Sequence, residues 1–163
     1  MAELGASVFF VDLTDQNDAV NIFNSHLGRQ AIKFVRQDVR EIQEWPESID
    51  CVYSQRMLGY LTYEDARQTL SLIKSRSTAG ACFFLSAGGL NAEYGVEYSG
   101  RYEPIESRFG RLSDDMAAKH DIYAQQCLYT ENELRKLTEM AGLKIQKSWT
   151  STFGNPKIIA VNA

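Results

Sequence analysis

Hydrophobic and polar positions alternate along the chain in blocks that predict strands and helices in turn. Short apolar runs rich in β-branched and aromatic residues predict buried strands, and they lie at 7–13, 31–36, 49–53 and 81–86. Apolar residues at helical spacing predict helices at 14–28, 62–77 and 130–141. Two more apolar runs, at 143–151 and 157–162, flank a Gly-Asn turn and predict a closing pair of strands. This order predicts an open, mostly parallel α/β sheet with an antiparallel C-terminal pair.

The stretch at about 91–127 is the least regular part of what we interpret as one domain, residues 1–163. Glycines and a proline punctuate it, and it contains Tyr94, Tyr98 and Tyr102. Their spacing of four would place these side chains on one face of a helix. Long irregular connections are often functional lids. The stretch therefore predicts an insert that serves either as a lid over a substrate or as a protein-binding surface.

Composition and charge narrow the classes of function. The chain has 163 residues, with 17 Lys and Arg against 21 Asp and Glu, a net charge of −4. An acidic chain of this kind is not expected to bind nucleic acid as its main role. Cys51, Cys82 and Cys127 lie far apart with no paired histidine, which predicts free thiols and no metal site. No signal peptide or long apolar segment is present, so we expect a cytoplasmic protein outside the membrane.

Polar side chains stand just after three of the predicted strands, where open α/β sheets bind their ligands. They are Asp12 in VFFVDL, Asp38 in FVRQDV and the run Ser54-Gln55-Arg56 in DCVYSQRMLGYL. In this order the elements resemble the class I S-adenosylmethionine-dependent methyltransferases, from their second strand to their end. The resemblance implies that Asp12 holds the ribose hydroxyls, Asp38 contacts the adenine amino group, and 50–61 lies near the methyl donor. The implied cofactor-binding residues are Asp12, Asp38, Val39, Ser54, Gln55, Arg56 and Tyr60.

Each of these residues also has a plainer interpretation. Asp12 could end its strand or cap the next helix, and Asp38 could be a turn acid beside Arg36 and Arg40. Arg56 could pair with Asp38 or with Glu64. Tyrosines such as Tyr60 are more often half-buried packing residues than the wall of a pocket.

The resemblance also implies a gap in the sheet. The first strand of the family carries a glycine-rich loop against the cofactor, whereas only MAELGA precedes residue 7. That strand is central in the family, between those that correspond to 7–13 and 49–53 here. We therefore expect a sheet truncated at the N-terminus. The gap in such a sheet cannot simply stay open, since unpaired backbone groups are costly when buried. Either the two strands pair directly, or a partner chain supplies a strand, or the sequence is a fragment of a longer product.

Two classes of function remain open. In the first, the chain is a methyltransferase-like domain that is degenerate for S-adenosylmethionine binding and acts as a protein-binding module. It would then be an inhibitor, an immunity or antitoxin-type protein, or an inactive partner subunit. In the second, it is an S-adenosylmethionine-dependent methyltransferase for a small molecule or protein, with its site completed by a partner chain.

The residues that carry catalysis are not assigned by the sequence. Gly59 stands where members of the family often place a histidine that could act as a base. His120 could replace it only if the irregular stretch folds over the site. In the family the glycine-rich loop supplies much of the contact with the cofactor, and this sequence does not contain it. We therefore favour the binding module. We expect a protein partner or a homo-oligomer, through the gap in the sheet or the tyrosine-rich stretch 91–127.

Overall fold

A strand–helix–strand unit forms the first 46 residues of the chain. The computed structural model describes residues 1–163, and these divide into two compact units, 1–46 and 47–163. In the first unit β1 (Val8–Asp12) is followed by α1 (Asn17–Leu27) and β2 (Ile32–Arg36). The two strands are parallel, with Val8 opposite Ile32 and Asp12 opposite Arg36. All three elements lie where the sequence pattern predicts them.

A buried asparagine fixes α1 to β2. The Oδ1 atom of Asn24 accepts the backbone N–H groups of Ala31 and Ile32, both at 2.9 Å, and its Nδ2 donates to the Ile32 carbonyl at 2.9 Å. Val20 is buried on the same side of the helix, and Gly28 ends it with a left-handed backbone at φ 63°. Because Asn24 and Val20 face the strand, the apolar side chains of Ile22 and Phe23 are left exposed.

The unit 47–163 contains a four-stranded sheet and three helices. Its elements are β3 (Ile49–Gln55), α2 (Tyr63–Ser75), β4 (Ser77–Ser86), α3 (Asp114–His120), α4 (Glu131–Met140), β5 (Lys144–Thr150) and β6 (Pro156–Val161). The strand order is β3-β4-β6-β5, with β3 parallel to β4 and β6 antiparallel to both of its neighbours. The predicted strand and helix order and the antiparallel closing pair are confirmed.

Polar caps begin the two longer helices of this unit, as their sequences indicate. The Thr62 side chain accepts the Asp65 N–H at the start of α2. At α4 the Thr130 side chain accepts the Glu133 N–H, and the Glu133 carboxylate accepts the Thr130 N–H, a complete capping box. Leu134 and Leu137 of α4 are fully buried, and α4 packs on β5 and β6.

The stretch 91–127 forms a small core of its own within the second unit. It contains α3 and two short 3-10 turns, at 93–95 and 105–107. Tyr94 and Tyr98 are buried in an apolar cluster with Leu112 and Leu128, whereas Tyr102 is 93% exposed. The three tyrosines do not share one helix face, which their spacing alone would allow, because the turn at 93–95 ends before a helix can form. Whether the stretch acts as a lid stays a prediction.

Two strands have one hydrogen-bonded neighbour each at a position where the resemblance implies two. β1 pairs with β2 alone in its sheet, and β3 pairs with β4 alone in its sheet. Direct pairing between the strand at 7–13 and the strand at 49–53 is therefore not the arrangement that the chain adopts. Each unit has an open sheet edge instead. None of the helices is both long enough and apolar enough to span a bilayer.

Candidate functional site

Asp12 is the last residue of β1 and Asp38 stands two positions after β2, so both lie at the carboxyl ends of neighbouring parallel strands in the first unit. The Gln37 N–H donates to the Asp12 backbone carbonyl at 3.1 Å, which holds the two strand ends together. The Oδ1 atom of Asp12 accepts the Thr14 N–H at 2.8 Å, and its Oδ2 makes no hydrogen bond. One oxygen of Asp12 therefore caps the turn, as in the plainer interpretation, and the other is available to a ligand.

Asp38 is held by the arginine two residues later. The Arg40 guanidinium donates to Oδ1 at 3.0 Å and to Oδ2 at 2.6 Å, and the Arg40 N–H donates to Oδ1 at 2.9 Å. These hydrogen bonds lower the pKa of the Asp38 carboxyl below its ordinary value, although partial burial opposes the shift. Val39 lies half-buried in the same turn. The arrangement matches a turn acid beside Arg40, with both carboxylate oxygens already engaged.

Ser54, Gln55 and Arg56 continue from β3 at its carboxyl end in the second unit. Ser54 is buried with no hydrogen-bond partner for its hydroxyl, and Gln55 is exposed and accepts the Tyr53 hydroxyl at 3.1 Å. Arg56 has a left-handed backbone at φ 62°, rare for a residue with a side chain, and its N–H donates to the Ser86 carbonyl at 2.9 Å. Backbone conformations of this kind concentrate at functional sites.

The two acids that could have paired with Arg56 have other partners. Asp38 binds Arg40, and Glu64 accepts two hydrogen bonds from Arg67 and one from Gln68. Within its own unit Arg56 forms no ion pair with Glu64, so that alternative is wrong, and its pairing with Asp38 stays a prediction. The exposed guanidinium of Arg56 leaves a positive charge at the rim formed by the ends of β3 and β4.

Gln126 fills the space beside Gly59. A Cβ atom on Gly59 would lie 3.1 Å from the Gln126 Oε1 and 3.4 Å from the Cys127 carbonyl oxygen. The Cys127 N–H donates to the Gly59 carbonyl at 2.7 Å, which holds the two segments close. A side chain at position 59 would require a small shift of Gln126, and the glycine that stands there supplies no base. Tyr60, the next residue, is partly exposed at the same rim.

A second polar cluster lies beyond the end of β4, and the sequence pattern did not indicate it. The Gly89 N–H donates to the Tyr94 hydroxyl at 3.2 Å and to the Asn155 Oδ1 at 3.1 Å, and the Tyr94 hydroxyl donates to the same Asn155 oxygen. Burial raises the pKa of Tyr94 above its ordinary value. His120 packs edge-on against the Tyr94 ring, with its Nε2 3.5 Å from the Glu93 carboxylate.

This cluster joins residues more than 60 positions apart, so no local pattern could have revealed it. Gly88-Gly89 and the Gly-Asn turn are visible in the sequence only as chain breaks. The Tyr94 hydroxyl and the Asn155 amide form a fixed polar wall beside the end of β4. His120 lies within the irregular stretch and adjoins this wall through Tyr94, which makes it the titratable group closest to it in the described contacts.

A hollow of about 280 Å³ opens at the carboxyl end of the second sheet. Aromatic side chains and two cations line it, among them Tyr53, Phe84, Trp149, Phe153, Arg56 and Lys157. Its floor includes Ser54 and Ser86, at the ends of the paired strands β3 and β4. No group of three or more His, Cys, Asp or Glu side chains comes together anywhere in the chain to form a metal site.

Solved structures with the same arrangement of strands and helices identify the fold. No protein-family model matches the chain, and no curated protein sequence matches it. The 1,6-didemethyltoxoflavin-N1-methyltransferase of Burkholderia thailandensis, solved with S-adenosylhomocysteine, superposes on 98% of the chain with a TM-score of 0.69 and 16% identity. The chain has the fold of the class I S-adenosylmethionine-dependent methyltransferases. It spans 62% of the length of the Burkholderia enzyme.

Two further structures share the methyltransferase fold. The magnesium protoporphyrin IX methyltransferase of Synechocystis, with bound S-adenosylhomocysteine, matches 99% of the chain and 66% of its own length at a TM-score of 0.66 and 17% identity. A putative methyltransferase of Haloferax volcanii, in complex with its Trm112 activator, matches 94% of the chain and 70% of its own length at a TM-score of 0.62 and 15% identity. The fold class predicted from the sequence is confirmed.

The implied cofactor residues differ in which of their polar atoms have no hydrogen-bond partner. Asp12 keeps one carboxylate oxygen for a ligand, whereas both oxygens of Asp38 are bound to Arg40. Ser54 has a buried hydroxyl without a partner. Of the two acids that the resemblance implies, Asp12 thus offers one free carboxylate oxygen, whereas Asp38 is already held by Arg40.

Proposed function

We propose that this chain is a methyltransferase-fold protein-binding module that no longer binds S-adenosylmethionine by itself, and that a partner chain adds a strand to its open sheet edges. The observation that carries the proposal is the pair of open edges, one on β1 and one on β3. An unpaired strand edge presents a row of free N–H and C=O groups, to which a strand from another chain can bind.

The backbone hydrogen bonds identify which groups are free. The Val8 N–H donates to the Ala31 carbonyl, so even-numbered residues of β1 face β2, and Phe9 and Val11 face outward. The Arg56 N–H donates to Ser86, so even-numbered residues at this end of β3 face β4. Cys51, Tyr53 and Gln55 therefore direct their backbone groups away from the sheet. Five residues on two strands are open to pairing.

The state of the cofactor residues supports the same proposal. The Arg40 guanidinium binds both oxygens of Asp38 and would compete with the amino group of an adenine for this carboxylate. Because the pKa of Asp38 is lowered by these hydrogen bonds, the carboxylate is charged at neutral pH and its pair with Arg40 persists. Gly59, against which Gln126 packs, supplies no catalytic side chain at that position.

Calorimetry with S-adenosylmethionine tests the loss of cofactor binding. We expect no measurable heat of binding for the isolated chain with millimolar S-adenosylmethionine, because Arg40 competes for the carboxylate that would bind the adenine. S-Adenosylhomocysteine is expected to give the same result. Micromolar binding that is lost in Asp12→Ala but kept in Asp18→Ala, an exposed acid in the neighbouring helix, would contradict the proposal.

That contrary outcome would favour the second candidate, an S-adenosylmethionine-dependent methyltransferase for a small molecule or protein, with its site completed by a partner chain. The free Oδ2 of Asp12 is the observation in its favour. The Haloferax methyltransferase was solved with an activator protein. A partner that restores cofactor binding to this chain, with Asp12→Ala as the inactive control, would establish this second candidate.

Hydrogen exchange tests the open edges directly. The amides of Phe9, Val11, Cys51, Tyr53 and Gln55 are expected to exchange orders of magnitude faster than those of Val52 and Ser54, which face β4. The comparison within one strand is the control, since both sets of amides share the same local stability. Equal protection for the two sets in β3 would show that its edge is already paired and would contradict the proposal.

A further inference from the structure

Two of the three cysteines meet across neighbouring strands of the second unit. Cys51 of β3 and Cys82 of β4 are direct partners in the register of this parallel pair. Partner residues of adjacent parallel strands direct their side chains to the same face of a sheet, so the two thiols lie side by side. Both are free and half-buried, whereas Cys127 is free and fully buried. The three cysteines lie far apart in the sequence, and only the fold brings two of them together.

The spacing of the two strands suits a bond between these thiols. Neighbouring strands lie about 4.8 Å apart, and a disulfide requires a Cα separation between about 4.4 and 6.8 Å. Burial raises the pKa of the Cys51 thiol, and the charge of Cys82 raises it further, as expected for two thiols in close proximity. The pair is therefore placed for a disulfide between β3 and β4.

The backbone around the pair can adjust to such a bond. The register is irregular just before it, because Ile49 is opposite Ser77 and Cys51 is opposite Cys82. β4 thus has extra residues here, among them Gly80 with a left-handed backbone at φ 83°, and irregularities of this kind bend the strand that carries them. The backbone groups of Cys51 point away from β4, so a small shift of this residue breaks none of its own hydrogen bonds to the ladder.

We propose that Cys51 and Cys82 form a redox-sensitive dithiol, which closes to a disulfide across β3 and β4 and opens again on reduction. The oxidant is a small-molecule disulfide such as glutathione disulfide. The thiolate of one cysteine attacks a glutathione sulfur and displaces one glutathione, and the thiolate of the second then attacks the protein sulfur of this mixed disulfide and displaces the other. The two protein thiols lose two electrons and two protons, and one glutathione disulfide becomes two glutathione molecules.

The disulfide is expected to be reversible. A Cα separation near the lower limit of the disulfide range strains the bond, and strained or exposed disulfides are the ones most readily reduced. While it is closed, the bond ties the edge strand β3 to β4 at the end where their register is irregular. The site lies within the unit 47–163 and does not depend on the loss of cofactor binding or on strand addition.

Oxidation followed by thiol counting tests the proposal. Incubation of the reduced chain with glutathione disulfide is expected to lower the number of free thiols, measured after unfolding, from three to one, with Cys127 as the thiol that remains. Non-reducing electrophoresis is expected to keep the product at the 18.4 kDa of one chain, and peptide mass spectrometry to find Cys51 joined to Cys82. Dithiothreitol is expected to restore all three thiols.

Cys51→Ser and Cys82→Ser are the matched variants. In each, oxidation is expected to stop at a mixed disulfide with glutathione, because no second thiol is in reach to displace it, whereas Cys127→Ala still loses two thiols. If Cys127→Ala does not fold, which circular dichroism detects, the peptide map of the wild-type chain decides alone. Three free thiols after oxidation, a mixed disulfide that persists in the wild-type chain, or a bond to Cys127 or to a second copy would each overturn the proposal.

Discussion

Arg108→Ala is expected to lower the free energy of unfolding by about 3–5 kcal/mol, the cost of removing one partner from a buried ion pair. The Arg108 side chain is 7% exposed and donates to the Glu133 carboxylate at 2.8 Å. It also donates to the Glu103 carbonyl at 2.9 and 3.1 Å and to the Leu128 carbonyl at 3.1 Å. Removal of the guanidinium leaves the Glu133 carboxylate with only its hydrogen bonds from Thr130 and takes a donor from the Leu128 carbonyl. Urea unfolding followed by circular dichroism measures the loss.

Arg67→Ala is the matched control for this experiment. Arg67 makes a comparable two-bond pair with Glu64, but the pair lies on the exposed surface of α2. Exposed pairs contribute little because water solvates both charges, so we expect almost no change in stability. If the two variants lose the same free energy of unfolding, Arg108 does not join the irregular stretch to α4 in the way that its contacts indicate.

The Arg108–Glu133 pair also predicts how the loss of stability in Arg108→Ala depends on pH. Burial by itself would raise the pKa of Glu133, but hydrogen bonds from Arg108 and Thr130 lower it on balance. A carboxyl with a lowered pKa in the folded state contributes stability that is present above its unfolded pKa, about 4.3. This contribution disappears as the pH falls through the folded value. The difference between wild type and Arg108→Ala is therefore expected to shrink below about pH 4.

Gly89→Ala is expected to be the most damaging small substitution near the candidate site, with a loss of about 3 kcal/mol or more. A Cβ atom at this position would overlap the Gly154 carbonyl oxygen, which belongs to the turn between β5 and β6. Backbone atoms cannot move aside as a flexible side chain can. The shift would also break the hydrogen bonds from the Gly89 N–H to Tyr94 and Asn155.

Gly28→Ala is the control that separates the effect of steric overlap on stability from the effect of backbone conformation. Gly28 has a left-handed backbone at φ 63° with nothing within 4 Å of an added Cβ atom. Its replacement is expected to cost only about 1 kcal/mol, from the conformational penalty alone. Thermal unfolding of the two variants checks the ranking. A smaller loss of stability for Gly89→Ala than for Gly28→Ala would show that the loop at Gly89 and the turn at Gly154 are not held in contact.

The order of strands and helices could be predicted because each element has a strong local pattern. β6 and α4 show this best, since the run KIIAV and the capping box Thr130–Glu133 define their own limits. β4 begins earlier than predicted, at Ser77, because its first residues are small or polar and have no apolar pattern. Pairing with Ile49 of β3, not local sequence, makes them part of the strand.

The candidate site could be predicted only where its residues follow strands. Asp12, Asp38 and Ser54 stand where the pattern indicates, because the end of a parallel strand is a fixed place in an open α/β sheet. Their partners could not be predicted in the same way. Asn155 meets Tyr94 across 61 positions, and Gln126 meets Gly59 across 67 (126 − 59). Contacts of this kind depend on the tertiary packing, which leaves no periodic signal.

The open edge of β3 has a consequence for the amount of this protein in a cell. Natural edge strands discourage unwanted pairing with lysines, prolines or bulges near the exposed backbone. The outward-facing residues of β3, Cys51, Tyr53 and Gln55, include no lysine or proline, and the register irregularity of this strand lies before them, between Ile49 and Cys51. On the proposal that a partner strand covers this edge, a copy without its partner would be more open to chaperones and proteases. We therefore expect the steady-state abundance of this chain to fall when that partner is absent.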